Sequence, residues 1–145
     1  MNKRFQCLYI DIATRVAEMS SAVRLKVGCI IVKDDKIISL GYNGTPSGWD
    51  NNCEDIISEV WEEPDLHNLK TKPEVLHAES NALCKVAKST ESAAGAALFV
   101  THAPCMECAK LIYQSGINSV YYRSGYRDTS GLEFLEKCKV NLEQI

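Results

Sequence analysis

The chain has 145 residues, 46% of them hydrophobic and 24% charged, which is enough apolar material for one core and too little charge for a disordered, self-repelling tail. Sixteen basic against nineteen acidic side chains leave a formal net charge of −3, so there is no basic excess for wrapping long nucleic acid, although one phosphate needs only a few local cations. No charged-then-apolar leader and no run of about 18 apolar residues is present, so neither a signal peptide nor a membrane span is expected, and the odd count of 7 cysteines points to a reducing, cytoplasmic compartment.

In chain order, Phe5, Leu8, Tyr9, Ile12, Val16 and Met19 recur at helical spacing around Asp11, Arg15 and Glu18, which predicts an amphipathic first helix. Segments 27–33 and 36–41 are β-rich and meet at Asp34-Asp35, the pattern of an antiparallel hairpin. A turn-rich stretch over 41–48 follows, and 50–72, polar and holding Pro64, predicts an elaborated loop with a short helix. Helical periodicity returns over 75–89. Residues 96–101 read as a buried strand, 105–115 as a helix entered through Pro104, and 119–123 as another strand. A short helix over 131–138 and an edge strand over 139–142 complete the pattern, and Cys29 and Cys84 fall on apolar patterns expected in the core. A hairpin followed by two strand–helix alternations predicts a single α/β domain over 1–145, with helices on both faces of a mixed sheet and right-handed crossovers.

Two short segments carry chemistry. Cys105 and Cys108 stand three residues apart after Pro104, so a helix starting there projects both sulfurs to one side, and the helix N-terminus favours thiolates. Proline suits such a start because its missing N–H has no intrahelical partner there. Alone, this pair reads as a metal site no more readily than as a redox couple or two buried thiols taken together. His77, at the start of the preceding helix, supplies a third, neutral donor, and three protein ligands leave the open position of a catalytic zinc site. Zinc with two thiolates and a neutral imidazole sums to zero charge and lowers the pKa of bound water to about 7. Glu79, two residues beyond His77, is placed to take that proton. H-x-E followed by P-C-x-x-C is the arrangement of zinc-dependent deaminases, in which the glutamate moves protons and is not a ligand.

The pieces VGCIIV (27–32), GYNG (41–44), HAESNA (77–82) and PCMECAK (104–110) resemble the deoxycytidylate (dCMP) deaminases of the cytidine deaminase-like superfamily. The resemblance extends from the first helix to about Asp128, and implies a three-layer α/β/α fold around a mixed five-stranded sheet. It implies hydrolysis of dCMP to dUMP and ammonia, supplying dUMP for thymidylate synthesis, with Glu79 moving protons between the activated water, N3 of the base and the departing amine. Such a carboxylate needs a pKa near working pH, which a closed apolar pocket provides. By the same resemblance the Ala78 N–H meets the base's O2, the Ala103 carbonyl holds the exocyclic amine, and Asn43 holds the deoxyribose, although Asn43-Gly44 is also an ordinary turn pair. Arg24, Tyr126 and Arg127 match phosphate-contacting positions, with Lys26 a weaker candidate or part of an effector site.

The resemblance further implies regulation by dCTP with Mg²⁺ and by dTTP through Gly41, Tyr42 and Gly44, and a homo-oligomer, commonly a hexamer. Some relatives hold a second, structural zinc; here Cys53 and His67 occupy the relevant segment, but Ser20-Ser21 stand where some relatives have cysteine. His102 either leans over the pocket mouth or simply ends its strand. The competing functions are a deaminase of a nucleoside, free base or tRNA adenosine, a zinc module without catalysis, and a nucleotide sensor that has lost turnover. The acidic balance disfavours the tRNA substrate, and Glu79 disfavours a purely structural metal.

Overall fold

The computed structural model describes residues 1–57 and 68–145. Its elements run α1 (Lys3–Ala17), β1 (Gly28–Lys33), β2 (Lys36–Tyr42), β3 (Glu54–Ile56), β4 (Leu69–Thr71), α2 (Ala78–Ala87), β5 (Ala97–His102), α3 (Met106–Gln114), β6 (Ser119–Ser124), α4 (Ser130–Lys137) and β7 (Asn141–Gln144). A five-stranded sheet is ordered β2-β1-β5-β6-β7. β1 runs antiparallel to β2 and β5, and β5, β6 and β7 run parallel, so the sheet is mixed as expected.

The hairpin turns at Asp34 and Asp35, whose φ angles of 49° and 58° match the left-handed, two-residue turn that suits the strands' twist. Along the central strands, apolar residues alternate between two helical layers. Cys29, Ile31, Leu98, Val100 and Val120 face Ala78, Ala82, Ala109, Ile112 and Leu135 of α2, α3 and α4. Ile30, Val32, Ala97, Phe99 and Tyr121 face Tyr9, Ile10, Ala13 and Val16 of α1, and Phe99 stacks on Tyr121 with ring centroids 4.6 Å apart. This is the three-layer α/β/α arrangement.

Two glycines set how closely helices approach the sheet. A Cβ on Gly28 would stand 2.9 Å from the Ala17 Cα, and one on Gly41 would stand 2.6 Å from the Ala82 N. Helix α1 therefore rests on β1 and α2 on β2 with no side chain between them. Ser39 Oγ also donates to the Ala82 carbonyl at 2.7 Å, pinning α2 to β2.

Several boundaries differ from the sequence reading. Helix α1 is capped by the Asn2 side chain, which accepts from the Arg4 N–H, and ends at Ala17, so Met19 falls beyond it; its buried side is Tyr9, Ile10, Ala13, Val16 and Ala17, leaving Phe5 and Leu8 exposed. Helix α2 starts at Ala78 rather than 75, because Leu76 is held extended in a bridge to Gly44. In α3, Cys105 is the cap rather than part of the first turn, and Pro104 precedes the cap. Lys139, at φ 60°, closes α4 and delays the last strand to Asn141. Cys29 is buried as expected, but Cys84 is exposed on the outer side of α2. The region 50–72 contains an antiparallel ribbon, β3 with β4, where a loop was expected, and the expected short helix falls outside the described residues. Among the described residues, no helix is long and apolar enough to cross a membrane.

Candidate active site

The N-terminal ends of α2 and α3 meet at one point. His77 caps α2 and Cys105 caps α3, both with extended backbone, and neither side chain makes a capping hydrogen bond. They turn instead toward each other. His77 Nδ1 lies 3.5 Å from Cys105 Sγ and 3.3 Å from Cys108 Sγ. All three donor atoms fall within 4.8 Å of one another, and among the described residues they form the one such group. Zinc–sulfur bonds near 2.3 Å and zinc–nitrogen bonds near 2.0 Å at tetrahedral angles place donors about 3.5 Å apart, so this set fits zinc.

Electrostatics favour the same ion. The Cys108 thiol and the His77 ring beside it hold Cys105 at a pKa of about 3, whereas the adjacent Cys105 sulfur, followed by burial, pushes Cys108 well above the ordinary thiol range. The hydrogen bond to Cys105 raises His77. Two sulfurs this close share one proton until a divalent cation neutralises both.

Glu79 lies in the first turn of α2 and is 4% exposed. Burial lifts its pKa to about 7, against the lowering effects of the helix backbone and His77. His77, Ala78, Glu79 and Cys105 form one wall of a cavity of about 620 Å³. Ala78 and Ala103 are buried and line it, as do His102, Asn43, Arg24, Tyr126 and Arg127. His102 therefore reaches the cavity, with its Nδ1 3.1 Å from Thr101 Oγ1 and its pKa lowered by burial. Arg24, Tyr126 and Arg127 are exposed at the rim.

Asn43 lines the cavity and also holds a neighbouring loop. Its Oδ1 accepts from the Val27 N–H at 2.8 Å and its Nδ2 donates to the Leu25 carbonyl at 2.7 Å, so it organises the 25–27 loop while lining the cavity. Lys26, Gly41, Tyr42 and Gly44 do not line it. The glycine at 41 answers to the packing of α2, and Gly41 and Tyr42 belong to β2 rather than to a loop. Only Gly44 of that pair of glycines is open, with nothing within 4 Å of an added Cβ.

Cys53 is buried on the same cavity, 3.5 Å from the Ser21 hydroxyl. His67 lies outside the described residues, and serine hydroxyls are poor substitutes for thiolates, so no second ligand set comes together among the described residues. The sequence reading missed Glu54 and Thr71, which also line the cavity; they sit on three-residue strands without a local pattern to mark them.

Comparison with known proteins gives the family. Residues 3–124 match the family model described as the cytidine and deoxycytidylate deaminase zinc-binding region. The chain is 36% identical to ComE operon protein 2 of Bacillus subtilis over 90% of its length, spanning 65% of that protein. It is 30% identical to the deoxycytidylate deaminase of Enterobacteria phage T4, covering 94% of this chain and 91% of that one. The crystal structure of the dCMP deaminase from cyanophage S-TIM5 in complex with dCMP and dUMP superposes with a TM-score of 0.88, at 42% identity over 100% of this chain and 99% of the other. With its His77, Cys105 and Cys108 donors gathered at two helix ends, the chain belongs to the cytidine and deoxycytidylate deaminase family.

Proposed function

We propose that this protein is a zinc-dependent dCMP deaminase, converting dCMP and water to dUMP and ammonia. The observation that carries the reading is a buried acid, Glu79, set beside a three-donor metal cluster in a cavity with two arginines at its rim. A structural zinc has no use for such an acid. The names of the phage relatives and the nucleotides bound in the cyanophage enzyme support the choice of substrate.

His77, Cys105 and Cys108 would hold zinc, which when bound supplies a water acidic enough to act as nucleophile near neutral pH. Glu79 accepts the proton released as that nucleophile adds to C4, delivers it to N3, and then serves the departing amine so that ammonia leaves. Its raised pKa suits a group that both takes and gives a proton. The Ala78 N–H donates to the base's O2, and the Ala103 carbonyl accepts from the exocyclic amine. Asn43 keeps a second Nδ2 hydrogen for the deoxyribose. Arg24 and Arg127, with Tyr126, bind the 5′-phosphate, which guanidinium groups grip through parallel hydrogen bonds.

The reading extends to regulation by dCTP with Mg²⁺ and by dTTP, for which the open approach to Gly44 and the exposed Lys26 offer support. It extends also to a homo-oligomer, a hexamer by resemblance. Phe5, Leu8 and Leu40, each more than 40% exposed, offer apolar surface for such contacts. A reducing, cytoplasmic compartment fits seven cysteines that are all free.

The test is ammonia release from purified, zinc-loaded protein offered dCMP, CMP, deoxycytidine or dCTP, with and without dCTP·Mg²⁺ or dTTP. Preference for dCMP is expected. Turnover of deoxycytidine alone would keep the chemistry and discard the phosphate reading, and silence on every substrate with zinc bound would favour a sensor.

A further inference from the structure

Arg24 stands on an exposed loop, where a long side chain ordinarily samples many rotamers. Here its backbone and its guanidinium are both held, and by facing residues of one ribbon. Glu54 on β3 is buried, 7% exposed, and its Oε1 accepts from the Val23 N–H at 2.8 Å and from the Arg24 N–H at 3.2 Å. Thr71 on β4 is paired with Glu54 in the ribbon's register, and its Oγ1 accepts from Arg24 Nη1 at 3.2 Å. Backbone N–H groups bonded to a buried carboxylate make charge-assisted hydrogen bonds, which are the strong ones. The threonine occupies one of five guanidinium donors and leaves the remainder of the fork for an anion. The loop is tied a second time beyond Arg24, where Asn43 bonds the Val27 N–H and the Leu25 carbonyl.

We infer that the β3–β4 ribbon is a positioning device for Arg24, with Glu54 fixing its backbone and Thr71 aiming its guanidinium, and that it thereby sets the discrimination of a nucleoside monophosphate from the nucleoside. The inference rests on the proposed dCMP reading. Neither residue touches a reacting atom; both act through Arg24. A ribbon of two three-residue strands is too small to be stable by itself, so its pairing with the 23–24 backbone through Glu54 is also what seats it on the domain. Substrate affinity and ribbon placement are therefore linked at one carboxylate.

The experiment compares KM and kcat for dCMP and for deoxycytidine in the zinc-loaded wild type, Thr71→Val, Thr71→Ser, Glu54→Gln and Arg24→Ala, and in Thr71→Val combined with Arg24→Ala. Thr71→Val removes the hydroxyl at nearly constant volume and is expected to raise KM for dCMP about 3- to 10-fold, the effect of one hydrogen bond to a charged group, with kcat and the deoxycytidine constants unmoved. Thr71→Ser restores the wild-type value. Glu54→Gln keeps an acceptor but loses its charge, and gives a smaller rise confined to dCMP. In the Arg24→Ala background, Thr71→Val adds nothing. Equal changes for both substrates, or an undiminished effect without Arg24, would overturn the positioning role while leaving the deaminase reading intact. A wild type that prefers deoxycytidine, or that turns over neither substrate, would overturn the dCMP reading and this inference with it.

Discussion

Gly131 holds the metal-binding turn in place by having no side chain. It lies in the first turn of α4, pressed against the backbone at the start of α3; a Cβ there would stand 2.8 Å from the Cys105 carbonyl carbon and 2.9 Å from its oxygen, and closer still to the Pro104 carbonyl. Ordinary contacts lie at 3.4–4 Å, so Gly131→Ala must displace backbone by half an ångström or more. No rotamer can absorb this. Overpacking costs about 1–3 kcal/mol, and so short a contact with backbone belongs to the upper part, about 2–3 kcal/mol; the better helix propensity of alanine returns about 0.5–1 kcal/mol, so the net destabilisation is about 1–2.5 kcal/mol. For a domain of this size that corresponds to a fall in Tm of roughly 3–8 °C. The displaced atoms belong to Cys105, so zinc should also leave faster. The assay pairs urea unfolding of the zinc-loaded protein with zinc transfer to a chromogenic chelator. Gly125→Ala, where an added Cβ meets nothing within 4 Å, is the control and should change stability by less than about 0.5 kcal/mol. A Gly131→Ala protein with wild-type midpoint and wild-type zinc release would refute the argument.

Three other outcomes are expected. Glu79→Gln should retain zinc by metal analysis and the wild-type circular dichroism spectrum, while ammonia release from dCMP falls by about 10²–10⁴-fold; wild-type turnover would remove Glu79 from the proton path. Arg127→Ala, at the exposed rim, should raise KM for dCMP about tenfold and leave deoxycytidine unaffected, so a matched change in both would deny it the phosphate. Cys108→Ser should lower bound zinc well below one ion per chain and lower Tm as chelation of the wild type does; a variant that keeps zinc at wild-type affinity would mean the donor set is wrong.

The metal cluster and its acid were legible because their chemistry is written in local spacing. His77-x-Glu79 and Cys105-x-x-Cys108 each lie within one helical turn, and only the meeting of the two helix ends needed the fold. The sheet was legible for a related reason: unbroken apolar runs such as 96–100 are long enough to identify buried strands. The ribbon was not. Its strands are three residues long, and Glu54 and Thr71 become a pair only through a cross-strand register that no local pattern encodes. The glycines at 28, 41 and 131 were opaque likewise, because the backbone each one meets comes from elsewhere in the chain. Cys84 misled because a helix's apolar pattern does not say which flank faces solvent; Ala82 and Val86 took the core and left it outside.

The seating of α2 on Gly41 has a mechanical consequence. The helix carries His77 and Glu79 at one end, and the strand beneath it runs on to Asn43, so the two elements move as one rigid body. Thermal fluctuations cannot change the distance between Glu79 and the Asn43 amide without lifting a helix off bare backbone. Breathing of the cavity is left to the exposed 124–127 segment after β6, because the 23–27 loop is tied to Glu54, Thr71 and Asn43. Amide hydrogen exchange should accordingly be slow along α2 and β2 and fast at Gly125 and Tyr126. On the proposed function, the nucleotide then enters and leaves beside Arg127, while Glu79 stays in the stiff half.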